Sequence, residues 1–180
     1  MKKLIVGLMV VGLVGMMGLP VMAATTDSAN VSLIVTPVVK VDLNVSPTYY
    51  NFGFVDVLTS TASITSLTLT NAGDVGINID KTVWDDAEWR IDYSSTTQDG
   101  FGLWAMTDDN QPGQSNYTTV NGHEFDNEIG TFSNLTELGG GDESMDPSDT
   151  ESIWFRLDMP DNVGNTNQQT IHIRLRGYQQ

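Results

Sequence analysis

From Val31 to Val45 the odd positions are Val31, Leu33, Val35, Pro37, Val39, Val41, Leu43 and Val45. The even positions are mostly polar (Ser32, Thr36, Lys40, Asp42 and Asn44), with Ile34 and Val38 as exceptions. Alternation with period two predicts a strand that buries one face and wets the other. Pro37 has no N–H to give a ladder, so the run reads as an edge strand or as two shorter strands bent there. The same alternation returns at Leu67-Leu69, Val75-Ile77-Ile79, Trp89-Ile91-Tyr93, Ile153-Phe155-Leu157-Met159 and Ile171-Ile173-Leu175. Turn-forming clusters separate the runs at Asn71–Asp74, Gln98–Gly100, Gln111–Gly113 and Asp161–Asn165. No window carries a sustained 3.6-residue apolar stripe; Ile129, Phe132 and Leu135 have the spacing of a helical turn or two within Asp126–Leu138. The pattern predicts an all-β chain: a single antiparallel β-sandwich of about 7–9 strands.

The N-terminus is built differently. Lys2-Lys3, an apolar run from Leu4 to Leu19 and the small residues Val21 and Ala23 have the three parts of a secretory signal peptide, with cleavage after Ala23. Residues 24–30 then form a polar, flexible start and residues 31–180 the sandwich domain. Removing residues 1–23 takes two lysines and no acid, leaving 23 acidic residues against six basic ones, a net charge of −17. Such a chain is unsuited to nucleic acid, whose binders carry basic patches. No second apolar stretch approaches the roughly 20 residues needed to span a bilayer. With no cysteine there is neither a disulfide framework nor a thiolate site. These features predict an exported protein of the periplasm, cell surface or extracellular space.

One stretch carries a resemblance. Pro47, Phe52-Gly53-Phe54-Val55, Thr61-Ala62-Ser63 and Leu67-Thr68-Leu69-Thr70-Asn71-Ala72-Gly73 resemble the opening strands of secreted immunoglobulin-like modules of the ASPM and Hydin type. In these modules a Phe-Gly-x-Val strand leads into a Leu-Thr-x-Thr-Asn-x-Gly strand and turn. A Gly commonly stands three residues after the Val of Phe-Gly-x-Val there, where this chain has Leu58. Asp146–Ser152 and Ile153–Leu157 resemble the loop and strand near the end of such sandwiches. The likeness implies a scaffold and no shared active site. In its signal peptide, Val-rich first strand and final strand ending near Tyr178, the chain also resembles spore-coat-U-type pilin subunits, which donate an N-terminal strand to the next subunit. Those usually carry cysteines near the first strand, and this chain has none.

Candidate chemistry is sparse. His123 and His172 are the only histidines, and neither falls in a Gly-x-Ser-x-Gly, His-Glu-x-x-His or phosphate-loop pattern. His172 shares the outward phase of its strand, and no catalytic residue is assigned. Asp142, Asp146, Asp149 and Glu151 supply the oxygen ligands that Ca²⁺ prefers, in a Gly-rich loop, although no EF-hand spacing is present. They are the candidate calcium site, and calcium the only cofactor considered. Trp104 and Trp154 have the opposite phase from Leu103, Phe155 and Leu157, so they are expected to face outward and to be covered by a loop, a ligand or another chain. Arg156, Arg174 and Arg176 share the outward phase of the last two strands. If those strands form a hairpin, Trp154, Arg156, His172, Arg174 and Arg176 make one interaction face, of the composition that interface hot spots favour.

Together these readings predict a non-catalytic, secreted structural or interaction protein of the cell surface or extracellular matrix. Its expected partners are other copies of itself or cell-surface components. Val31, Leu33 and Val35 mark a candidate assembly strand, exchanged between subunits of a filament. The alternative is a small extracellular module binding carbohydrate or another ligand through Trp104 or Trp154.

Overall fold

The computed structural model describes residues 36, 38–85, 89–93, 98–126, 128–164 and 166–180. The expected signal peptide, residues 1–23, and the candidate assembly residues Val31, Leu33 and Val35 lie outside the described residues. The unit described here runs from Val38 to Gln180.

Ten strands build two packed sheets. They are β1 (Leu43–Ser46), β2 (Ser60–Ala62), β3 (Leu67–Asn71), β4 (Ile77–Asp85), β5 (Arg90–Ile91), β6 (Gly100–Thr107), β7 (Ser133–Asn134), β8 (Ser144–Met145), β9 (Thr150–Asp158) and β10 (His172–Gln179). The first sheet has the order β1-β3-β9-β6-β5, and β2 pairs with β9 at Ala62↔Arg156, beyond the end of β3. The second has the order β10-β4-β7, with β8 also on β4. The all-β sandwich expected from the alternation is therefore the fold. One pair departs from the antiparallel expectation: β5 runs parallel to β6, with Arg90 opposite Gly100. The only helical element among the described residues is a 3-10 turn at Gln114–Asn116, so the spacing of Ile129, Phe132 and Leu135 does not make a helix. Leu135 instead follows β7 and donates its N–H to the Ile79 carbonyl.

The core lies where the inward phases meet. Leu67 and Leu69 of β3, Phe101, Leu103 and Ala105 of β6, and Ile153, Phe155 and Leu157 of β9 face Ile77, Ile79 and Val83 of β4. Met145 and Leu135 close the same cluster. Asn71 ends β3 in this core and is buried, yet satisfied: its amide donates to the carbonyls of Val75 (2.8 Å) and Met145 (3.1 Å), and its Oδ1 accepts from the Gly73 N–H (3.0 Å). That answers the rule that a buried polar group must be bonded. At Gly73 the requirement is room. A Cβ there would lie 2.4 Å from the Lys40 carbonyl oxygen, on the chain segment that leads into β1.

Candidate functional site

The alternation on β6 and β9 places Trp104, Met106, Trp154 and Arg156 on the outer side of the first sheet, away from the main core. The register sets Trp104 opposite Arg156 and Met106 opposite Trp154. Trp104, Met106 and Trp154 are buried all the same. With Tyr117 they form a second apolar cluster, in which Trp104 and Trp154 are each 8% exposed. The cover comes from the same chain: the segment after β6 folds back through the 3-10 turn and brings Tyr117 over the cluster. Trp154 Nε1 donates to the Asp108 carbonyl at 2.8 Å. Arg156 lies over the Trp104 ring (4.6 Å to the centroid) while its guanidinium grips Asp158 through Nε (2.7 Å) and Nη2 (2.8 Å). Tyr93 meets the Trp104 ring edge-on with centroids 4.7 Å apart. The outward phase read from the sequence is right, and the covering element is a loop. Neither tryptophan presents a free face on which a sugar ring would stack.

The second group is separate. Strand β9 belongs to the first sheet and β10 to the second, so they form no hairpin, and the single face of Trp154, Arg156, His172, Arg174 and Arg176 does not exist. The link between β9 and β10 crosses from one sheet to the other. His172, Arg174 and Arg176 line the outer face of the second sheet, where Arg174 is opposite Thr82 and Arg176 opposite Asp80. Arg176 pairs with Asp80 at 2.5 Å and lies over the Phe132 ring at 3.9 Å. Arg174 stacks on Trp84 at 3.6 Å, and Trp84 stays 51% exposed. This is the one tryptophan ring among the described residues that reaches solvent, and it carries an arginine on its face.

The acidic loop does not gather into a cage. Asp142, Asp146 and Asp149 are exposed. Asp142 bridges to Thr136, Asp149 accepts the Asp146 N–H on its own carboxylate (3.0 Å), and Glu151 lies in β9 opposite Leu69. Among the described residues no three His, Asp or Glu side chains converge to hold a metal ion.

Besides Asp80, three buried ionisable groups went unmarked as such in the sequence. Glu143 is buried beside β6, where its carboxylate accepts the Thr107 hydroxyl. Loss of hydration pushes its carboxyl up to about 7 against the pull of that hydrogen bond, and the nearby Glu151 and Glu137 push the same way. Lys81 occupies an inward position of β4 between Ile79 and Val83 and is fully buried. Its ammonium donates to the carbonyls of Gly122 (2.9 Å) and Asn134. Burial lowers it to about 8, opposed by the charges of Glu124, Asp80 and Asp142. His123 is also buried: Nδ1 accepts the Thr118 N–H (3.2 Å) and Nε2 lies 3.1 Å from the Glu137 carbonyl. Each is held mainly by backbone groups or a hydroxyl, the bonding of structural side chains. The phase of Lys81 was the available signal, since a lysine in step with Ile77, Ile79 and Val83 has to enter the core.

Fold and site together define an acidic two-sheet β-sandwich with a second apolar cluster on one outer face. No family model, curated protein or solved structure matches this chain.

Proposed function

We propose that this chain is a non-catalytic, exported structural or interaction protein of the cell surface or extracellular matrix, and a filament subunit that assembles by exchange of its N-terminal strand. One observation carries the reading. Of the alternating run from Val31 to Val45, β1 takes only Leu43–Ser46, and the valine side chains just before it are left exposed. Val38 is 86% exposed, and Val39 and Val41 are exposed with it. Residues 28–39 carry no charged side chain, and a β-branched, uncharged segment is costly to leave in water and is well suited to pairing with a sheet edge. Intramolecular cover of Trp104 and Trp154 removes the main support for the ligand-binding alternative.

The test compares the exported protein with a variant lacking residues 24–36, by size-exclusion chromatography and negative-stain microscopy. The deletion stops short of the 38–180 unit, so its melting temperature stays close to that of the full protein. The full protein is expected to form polymers and the variant to stay monomeric, with assembly blocked when free peptide of residues 28–39 is added. A full-length protein that stays monomeric at high concentration overturns the reading.

A further inference from the structure

A sandwich closes its sheets at their edges, and the edges of this one are unequal. On the first sheet β1 offers four residues and β5 two; on the second, β7 and β8 offer two each. Strand β10 is different. It pairs with β4 over eight residues, His172 to Gln179, and among the described residues no strand pairs with its other edge. It contains no proline, and its only register irregularity falls at its start, between His172 and Ile173. Its inward positions are Ile173, Leu175 and Gly177, with no charge turned inward to discourage a partner. Natural edge strands are normally shortened, bulged or charged against such pairing; β10 is irregular only at its start and carries its charges only on the outward face.

The apolar surface beside this edge is also unfinished. Ile173 and Leu175 pack on the main core but remain only partly buried, as do Leu43 and Val45 of β1. The two strands lie on the same side of the sandwich: a Cβ at Gly177 would touch the Leu43 side chain at 3.5 Å and that of Val41 at 3.7 Å. A further strand along β10 would cover this seam.

The charges select the occupant. Pairing of β10 with β10 of a second copy, antiparallel and with inward faces matched, sets outward positions against outward positions. In every register centred between Ile173 and Arg176, that places arginine or histidine opposite arginine. Like charges directly opposed destabilise a pair, so Arg174 and Arg176 weigh against the homotypic edge contact. An incoming strand must be apolar on one face and free of positive charge on the other. Residues 28–39 contain no charged side chain, and 31–36 alternate Val31, Leu33 and Val35 with Ser32, Ile34 and Thr36.

We propose that the outer edge of β10 is the acceptor for residues 31–36 of a second copy, with Leu33 inward toward Ile173 and Leu175. A second copy is favoured over the chain's own segment by where the described chain starts. Lys40 is held beside Asp74, its N–H donating to the Asp74 carboxylate at 2.6 Å and its carbonyl accepting the Asp74 N–H at 3.0 Å. Lys40 therefore lies at the end of the sandwich where β10 finishes, and Gln180 bonds there to the Gly76 carbonyl. Strand β1 runs away from this end and β10 runs toward it, so pairing a segment upstream of β1 with the chain's own β10 edge would require a reversal that pairing with a second copy does not. This inference rests on the strand-exchange reading above and adds the acceptor.

The absence of cysteine makes the test clean. Exported protein carrying Leu33→Cys with Leu175→Cys, and a second variant carrying Leu33→Cys with Ile173→Cys, are oxidised and run on non-reducing gels beside each single variant. Circular dichroism of the reduced proteins confirms that they fold. The expected result is a reducible ladder of oligomers from at least one double variant and from no single variant. A disulfide confined to the monomer band means that the chain fills its own edge, and overturns the proposal. A dimer from Leu175→Cys alone means homotypic pairing, and also overturns it. Polymers without cross-linking in either pair place the acceptor elsewhere and leave strand exchange standing, whereas monomers throughout overturn both.

Discussion

Leu58 sits at φ 59°, in the left-handed region that L side chains avoid, and its side chain is exposed. Glycine, with no Cβ, adopts such a φ without a clash. Holding a leucine in that region costs about 1–2 kcal/mol, and little packing offsets it. Leu58→Gly is expected to stabilise the protein by about 1 kcal/mol, raising Tm by roughly 2–4 °C in thermal melts. Gly53, in the same loop, has φ 73° with nothing within 4 Å of a would-be Cβ, so its need is conformational and no close approach is involved. Glu143 yields a second expectation. Its carboxyl titrates near 7 in the folded chain and near 4.5 when unfolded, because burial favours the neutral form. The native state therefore binds the extra proton between those values, and stability falls as pH rises from 4.5 through about 7. Tm should be higher at pH 5 than at pH 8. Glu143→Gln keeps an acceptor for the Thr107 hydroxyl and should flatten that difference, a change on the order of 2 kcal/mol.

Among the strands of eight or more residues, β6 was the one that alternation did not reveal. Every residue from Gly100 to Thr107 is buried: Phe101, Leu103 and Ala105 face the main core, while Trp104 and Met106 face the outer cluster. A strand covered on both faces has no wet positions to mark its period. By contrast β3, β9 and β10 alternate and were readable, because loops or solvent leave at least part of one face polar. The β9–β10 hairpin failed for a topological reason. Nearness in sequence favours pairing, but the link from Met159 to Ile171 is long enough to cross between sheets. The buried environment of the acidic loop's Glu143 was equally hidden, since neighbouring Asp142 is exposed and nothing in composition distinguishes the two. The anchoring of β1 can be tested at one glycine. Gly73→Ala would drive a Cβ against the Lys40 carbonyl, and Asp42 N is only 3.0 Å from the same point. The expected outcome is a loss of about 1–3 kcal/mol, with amide hydrogen exchange accelerating first in 42–46 and last in β6.

At the scale of the whole molecule, the cations are spent locally. Arg156 is bonded to Asp158, Arg176 to Asp80 and Lys40 to Asp42, so the net charge of −15 for the full chain is carried by loops and by strand positions turned to water. Self-repulsion of this size favours solubility and demands a specific contact for any association between copies. The placement of the first and last strands has a mechanical consequence. Strand β1 is hydrogen-bonded into one sheet and β10 into the other. In a fibre joined through the N-terminal segment and the β10 edge, tension entering along β1 and leaving through β10 cannot pass down one ladder and unzip it bond by bond. It must cross the apolar layer between the sheets, and it pulls β1 lengthwise against its bonds to β3, so that many bonds share the load and yield together.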